Sequence, residues 1–320
     1  MSLRNKHTGF AIAIAWPQTY CKQPGSWYDP FVGWLGINKN NYYKAGHAAL
    51  VLIDSKNKSC HYFDFGRYHA PFQHGRVRSS ETDHDLEMKT TPVISRDGKQ
   101  IENFRKIISE LQNNPACHGD GELYASYSGI NFVSAHTKAK QMQQSSPIPY
   151  GPFQFRGSNC SRFVNTAILA GNPGLKQVIK LKYFVPLTPT PLNNINALGH
   201  KMILPQFTDL EAFSPGKKPD KGFLRTTLQS PERVSNIPAN AQWLGGEGAG
   251  SWFNFEFQNK LLKVTRYSPR GVIECTGLYK NLNGHKITPA NNYKFTYPTN
   301  CKVVSLMSEG SEVKFERAII

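Results

Sequence analysis

Cys160 directly follows Gly157-Ser158-Asn159, at the start of a predicted helix over residues 160–170. Asparagine is a good N-cap, which puts the thiol at or beside the first helical position. There the helix dipole and unpaired backbone N–H groups favour thiolate over thiol. The same N–H groups suit the oxyanion of an acyl transfer. The ordinary alternative is a small buried apolar cysteine; Cys160, however, lies ahead of the apolar face made by Phe163, Val164, Ala167 and Ile168. A thiol used as a nucleophile needs a base. Of ten histidines, His47 is the best placed, following Gly46 at the mouth of an apolar strand over 47–53. A third group should fix the imidazole's tautomer and orientation. A turn centred near residues 56–57 folds residues 60–65 back on that strand and sets His47 opposite residue 65, give or take one or two; a register pairing residue 47 with residue 64 sets Asp64 beside His47 on one face. Asp64 stands amid Tyr62, Phe63 and Phe65, where burial without a partner is costly. His61, of opposite parity, is the rival orienter, and Arg67 is an alternative ion-pair partner for Asp64.

Gly46-His47-Ala48-Ala49-Leu50-Val51-Leu52, followed far downstream by Asn159-Cys160-Ser161-Arg162-Phe163-Val164, resembles the circularly permuted branch of the NlpC/P60 papain-like superfamily. In that branch the histidine strand precedes the cysteine helix, as it does here. The resemblance covers about residues 8–170. It implies a nucleophile at Cys160, a histidine at His47 and a polar orienter on the following strand at Asp64. It also implies thiol attack on an amide, ester or thioester carbonyl, with His47 passing the thiol proton to the leaving group and an acyl-enzyme released to water or another acceptor. The superfamily includes peptidoglycan peptidases, amidases and lipid acyltransferases. The expected function is a cysteine-dependent hydrolase of amide or ester bonds, a peptidase or amidase ahead of an acyltransferase. It needs no cofactor and no metal, and its partner is a peptide, amide or ester substrate. The alternatives are a non-catalytic binding module on the same fold and a polyanion- or nucleic-acid-binding protein.

The elements that must position these residues read as follows. Residues 10–16 alternate large and small apolar side chains up to Pro17, a buried strand. Residues 20–45 form an aromatic loop with Trp27, Tyr28, Phe31, Trp34, Tyr42 and Tyr43. A further strand is predicted near 86–89, and helices over 98–113 and 131–143. Residues 172–250 are proline-rich and read partly as packed excursions and partly as linker. Beyond them, strands are predicted at 252–257, 261–267, 272–280, 293–297, 302–307 and 312–317. The fold class is therefore α+β: a permuted papain-like core, with an antiparallel sheet packed on helices, plus a C-terminal all-β barrel or sandwich. The domains are expected at 1–205 and 246–320, joined by 206–245.

Composition is that of an ordinary globular protein, with 39% hydrophobic and 19% charged residues among 320. The formal charge of +16 favours an anionic ligand. No dense Lys/Arg run is present, so nucleic acid is not the favoured partner. The six cysteines form no CxxC pair, and Cys275 could pair with Cys301. No apolar run reaches the length of a membrane span, and the run 10–16 is too short for a signal core. These features give a cytoplasmic expectation. Weaker constellations are Cys60-His61, on opposite faces of one strand; Cys117-His118-Gly119-Asp120, without a second pair; and His69, His74 and His84 beside Asp83 and Asp85. Arg67, Arg76 and Arg78 could hold an anionic group near the site or simply face solvent.

Overall fold

The computed structural model describes residues 7–23, 38–117, 119–206, 215–216, 222–258, 261–282, 284 and 292–318. Trp27, Tyr28, Phe31, Trp34 and His118 lie outside these described residues. The architecture is α+β, with two seven-stranded antiparallel sheets and a three-stranded ribbon among the described residues.

The first half of the chain supplies strands β1 (Gly9–Trp16), β2 (Cys21–Lys22), β3 (Asn38–Lys39), β4 (Tyr42–Tyr43), β5 (His47–Asp54), β6 (Ser59–Gly66), β7 (His74–Arg78), β8 (Leu123–Ile130), β9 (Ile148–Pro149) and β10 (Gly199–Leu204). Its helices are α1 (Phe104–Gln112), α2 (Phe132–Gln144), α3 (Cys160–Ala170), α4 (Leu175–Tyr183) and α5 (Pro191–Ala197). Seven strands form one sheet in the order β10-β8-β1-β5-β6-β7-β9, and β2, β4 and β3 make a small ribbon. The alternation in β1 explains the layering. Phe10, Ile12, Ile14 and Trp16 face a core shared with Phe104, Ile107, Ile108 and Leu111 of α1. Ala11, Ala13 and Ala15 face the other core, with Phe163, Val164, Ala167 and Ile168 of α3. On this side α3 packs over β5 and β6 and α5 over β1, and this sets the N-terminus of α3 beside the start of β5.

Two sequence expectations shift. The strand near 86–89 is not formed; His84–Leu86 is a single 3-10 turn that buries Leu86. The helix over 98–113 begins at Phe104, because Gly98 adopts φ +71 in a turn and Ile101 bridges to Ile94. Residues 172–206, weak in sequence signal, hold α4, α5 and β10.

The second half is a nearly closed barrel of β11 (Gln242–Gly245), β12 (Gly250–Gln258), β13 (Leu261–Tyr267), β14 (Ile273–Asn281), β15 (Lys294–Thr296), β16 (Val303–Ser308) and β17 (Ser311–Arg317). Their order is β11-β12-β13-β14-β17-β16-β15, around Phe253, Val264, Tyr279, Leu306 and Phe315. The Gln242 side chain spans the two edge strands: its Nε2 donates to the Tyr293 carbonyl at 2.7 Å, and its Oε1 accepts from the Phe295 N–H at 2.9 Å. The halves meet through buried polar contacts. Asp83 accepts from Arg76 at 2.7 and 2.8 Å and from Arg266 at 2.9 Å. The His69 ring bonds the Ser251 hydroxyl at 2.9 Å. No helix among the described residues is long and apolar enough to cross a membrane.

Candidate active site

The Asn159 side chain accepts from the Arg162 N–H at 2.8 Å and caps α3, which makes Cys160 its first residue. His47 is the first residue of β5. Gly46 ahead of it has φ +71, and a Cβ there would meet backbone atoms of Trp16 and Pro17 at 3.1 Å. The ring of His47 stacks on Trp16 with centroids 5.8 Å apart. Asp64 lies on β6, but Ala49 is the residue opposite it, not His47 as the sequence reading assumed. The two-residue offset preserves side-chain parity, so His47 and Asp64 share a face as diagonal neighbours. His47 Nε2 lies 3.7 Å from Asp64 Oδ2, an ion-pair distance longer than a hydrogen bond.

Asp64 is anchored elsewhere. Arg78, paired with it in register, donates from Nε to Oδ1 at 2.9 Å and from Nη2 to Oδ2 at 2.5 Å. The Tyr62 hydroxyl adds a bond at 3.0 Å. Arg67, the alternative partner, is not on Asp64; it pairs with Glu247 at 2.8 Å. His61 faces away from the site, bonded to the Ser59 hydroxyl and packed on Phe132 and His136. His69 and His74 do not converge, since the His74 ring bonds the Phe72 carbonyl. The three arginines offered as holders of an anion are all taken by buried carboxylates: Arg67 by Glu247, Arg76 by Asp83 and Arg78 by Asp64.

The electrostatics favour a thiolate–imidazolium pair. Burial, the largest influence on Cys160, opposes ionisation. Hydrogen bonding to His47, the charge of His47, the Ala48 N–H and the Ser161 hydroxyl outweigh it and bring the thiol below its ordinary 9.0. Burial also opposes charge on His47, but Asp64 and Cys160 prevail and raise the imidazole to about 9. For Asp64 too, burial is overcome, chiefly by Arg78 and then by His47, and its carboxyl falls well below the usual range. Each partner thus favours the charged form of the other, and the titration belongs to the pair as a unit.

Two recesses flank the pair. One of about 520 Å³ opens on the His47 side and is lined by Tyr42, Asp120 and Glu247. The other, about 430 Å³, opens on the Cys160 side and is lined by Tyr43, Phe153, Thr190 and Leu192. Cys21, Lys22, Arg67 and Tyr150 wall both.

Sequence reasoning missed Glu247, which arrives from the glycine-rich segment ahead of β12. Its carboxylate takes Arg67 and the Gln73 N–H at 2.9 Å, with no exposed side-chain surface. Only the oddity of an acid within Gly245-Gly246-Glu247-Gly248 hinted at it. Glu247→Ala leaves Arg67 buried and unpaired. It is expected to lower folding stability by about 3–5 kcal/mol, read as a fall in urea midpoint. An unchanged midpoint would show that water replaces the carboxylate without cost.

Residues 11–176 match the family described as type VI secretion system effector TseH-like. Residues 241–318 match the family described as the DUF6695 C-terminal domain. The crystal structure of the type VI secretion system effector TseH is similar with a TM-score of 0.41 and 16% identity, over 63% of this chain and 94% of that one. No curated protein matches the chain significantly.

Proposed function

We propose, because the chain belongs to the type VI secretion system effector TseH-like family, that it is an effector acting as a cysteine-dependent hydrolase of amide or ester bonds. The observation that supports this most is the meeting of Cys160, at a helix tip, with His47, at a strand tip, over a buried carboxylate at Asp64. The sequence resemblance to permuted NlpC/P60 enzymes supports the same roles.

In this reading the Cys160 thiolate attacks the carbonyl carbon and the carbonyl electrons pass to oxygen. That oxyanion lies near the unpaired N–H groups of the first turn of α3. Collapse of the tetrahedral species expels the leaving group, which takes the proton held by His47. The neutral imidazole then removes a proton from water, whose oxygen attacks the thioester and frees the acid. Asp64, held by Arg78, keeps the ring oriented and stabilises its cationic form. The recess on the His47 side has Lys22 and Asp120 on its walls, which suits a peptide-like amide better than a lipid chain, so a peptidase or amidase is favoured. In this reading the protein acts outside the cell that makes it, which departs from the cytoplasmic expectation.

The test is turnover of peptidoglycan sacculi and of peptide and ester substrates, with mass spectrometry for an acyl group on Cys160. Absence of both product and adduct with every substrate, while the thiol labels rapidly, favours the binding module. The pH profile is a second check. On the acid side activity falls as Cys160 takes up a proton, below the ordinary thiol value of 9.0. On the alkaline side it falls near pH 9, where His47 loses the proton it must donate. Iodoacetamide labelling has the acid limb only, because the thiolate survives loss of the imidazolium. An alkaline limb near 6.5 would mean that His47 is not held in its charged form.

A further inference from the structure

We infer that His84, Cys275 and Cys301 bind a single thiophilic divalent ion of the zinc class at the seam between the two halves of the chain. One ring nitrogen and the two sulfurs lie within 4.8 Å of one another. His84 Nδ1 is 3.9 Å from Cys275 Sγ. Zinc–sulfur and zinc–nitrogen bonds of about 2.3 and 2.0 Å in a tetrahedron set donor separations of roughly 3.5–3.8 Å, so small side-chain rotations complete the site. Two thiolates and an imidazole are a donor set for zinc, and hard oxygen-seeking ions such as magnesium do not match it.

The backbones that carry these donors are fixed by other contacts. Cys275 lies on β14. Cys301 precedes β16, and its N–H donates to the Thr82 carbonyl at 2.9 Å. His84 follows Asp83, which Arg76 and Arg266 clamp. A site supported this way pays little ordering entropy on binding. Both cysteines are buried, while His84 is exposed and leaves an approach for the ion and a place for water as fourth ligand. Arg317 Nη1 donates to Cys275 Sγ at 3.4 Å and to the Cys301 carbonyl at 3.3 Å. The guanidinium N–H thus lies against one sulfur of the set, a hydrogen bond that a metal-bound thiolate also accepts. Binding releases the thiol protons to solvent and involves no redox step. A disulfide between Cys275 and Cys301 is the competing arrangement, and it gives no role to the imidazole. Spacing could not reveal the site, because its donors come from three separate segments and only the fold unites them. The bound ion would tie the 82–86 segment to the barrel that also supplies Glu247.

Chelator-treated, fully reduced full-length protein titrated with cobalt(II) tests the inference. The expected result is thiolate-to-cobalt charge-transfer absorption with intense tetrahedral bands, saturating at a single ion per chain and reversed by zinc. Cys160→Ser keeps the absorption and Cys275→Ser loses it. His84→Gln, at an exposed position that leaves the core intact, weakens cobalt binding at least about tenfold. No charge-transfer absorption in the folded, reduced protein overturns the site, as does absorption unchanged in His84→Gln and Cys275→Ser. A Cys275–Cys301 disulfide in protein prepared without reductant, with no cobalt uptake after reduction, assigns the pair to a disulfide instead.

Discussion

Cys160→Ala protein folds normally and loses turnover by a factor on the order of 10⁴ or more, with no covalent adduct formed on acyl substrates. The size follows from the chemistry: without the sulfur there is no nucleophile and no acyl-enzyme, and the remaining groups only bind and polarise the carbonyl. The fold tolerates the change because Cys160 precedes the apolar face of α3 and its capping comes from Asn159. His47→Ala acts through the same pair. It removes the cation that offsets the burial of Cys160, so the thiol returns towards or above its ordinary value and iodoacetamide labelling at neutral pH slows sharply. Progress curves, circular dichroism and labelling rates read these outcomes. Cys160→Ala protein with wild-type turnover would move the reaction elsewhere in the molecule.

Asp64→Ala is expected to cost about 3–5 kcal/mol of folding stability, because it strands Arg78 as a buried charge beside an empty space. The carboxylate is fully buried and takes two bonds from Arg78 and one from Tyr62. The variant also removes the group that contributes most to holding His47 charged. The alkaline limb of activity should therefore move down from about 9 towards 6.5. That shift separates an orienting role from a structural one, since a merely unstable protein loses amplitude without moving the limb. In the wild type, the Asp64 pKa lies below its unfolded value of 3.8. Its contribution is thus present above about pH 4 and is lost as pH falls through the folded value. Urea midpoints across acid pH, wild type against variant, should converge at the acid end. Parallel midpoints at all pH values would argue against an ionised Asp64.

The parts of the site legible from sequence were those written in local pattern. Gly157-Ser158-Asn159 before an apolar helical face announced α3, and Gly46-His47 before an apolar run announced β5. The β5–β6 hairpin was readable too, with its turn centred at 56–57 as expected; the pairing of 47 with 64 was two residues off because it did not follow from that centre. The barrel strands were visible for the same reason, with turn residues separating alternating runs. What escaped depended on contacts distant in sequence. Strand β8 lies inside the sheet between β10 and β1, yet Leu123-Tyr124-Ala125-Ser126-Tyr127-Ser128-Gly129, with two serines and a glycine, was not expected as a strand. Ser126 can be buried there because it donates to the Ile195 carbonyl at 2.8 Å. Arg78 looked like one of several loop arginines until β7 laid it against Asp64. Glu247 becomes part of the site wall only because Gly246 and Gly248 let the chain pass close to Arg67 and His69, where a side chain at Gly246 would meet backbone atoms at 2.2 Å.

The amide of Gln242 has a consequence for how copies of the molecule behave together. By bonding both a carbonyl and an N–H of the facing strand, it imitates a peptide group where the cylinder lacks backbone pairing. A row of bare ladder groups is the usual template for sheet-to-sheet adhesion. Here that rim is stitched shut by one side chain, and the charge of +16 adds mutual repulsion. A second copy approaching that rim finds those two backbone groups already satisfied.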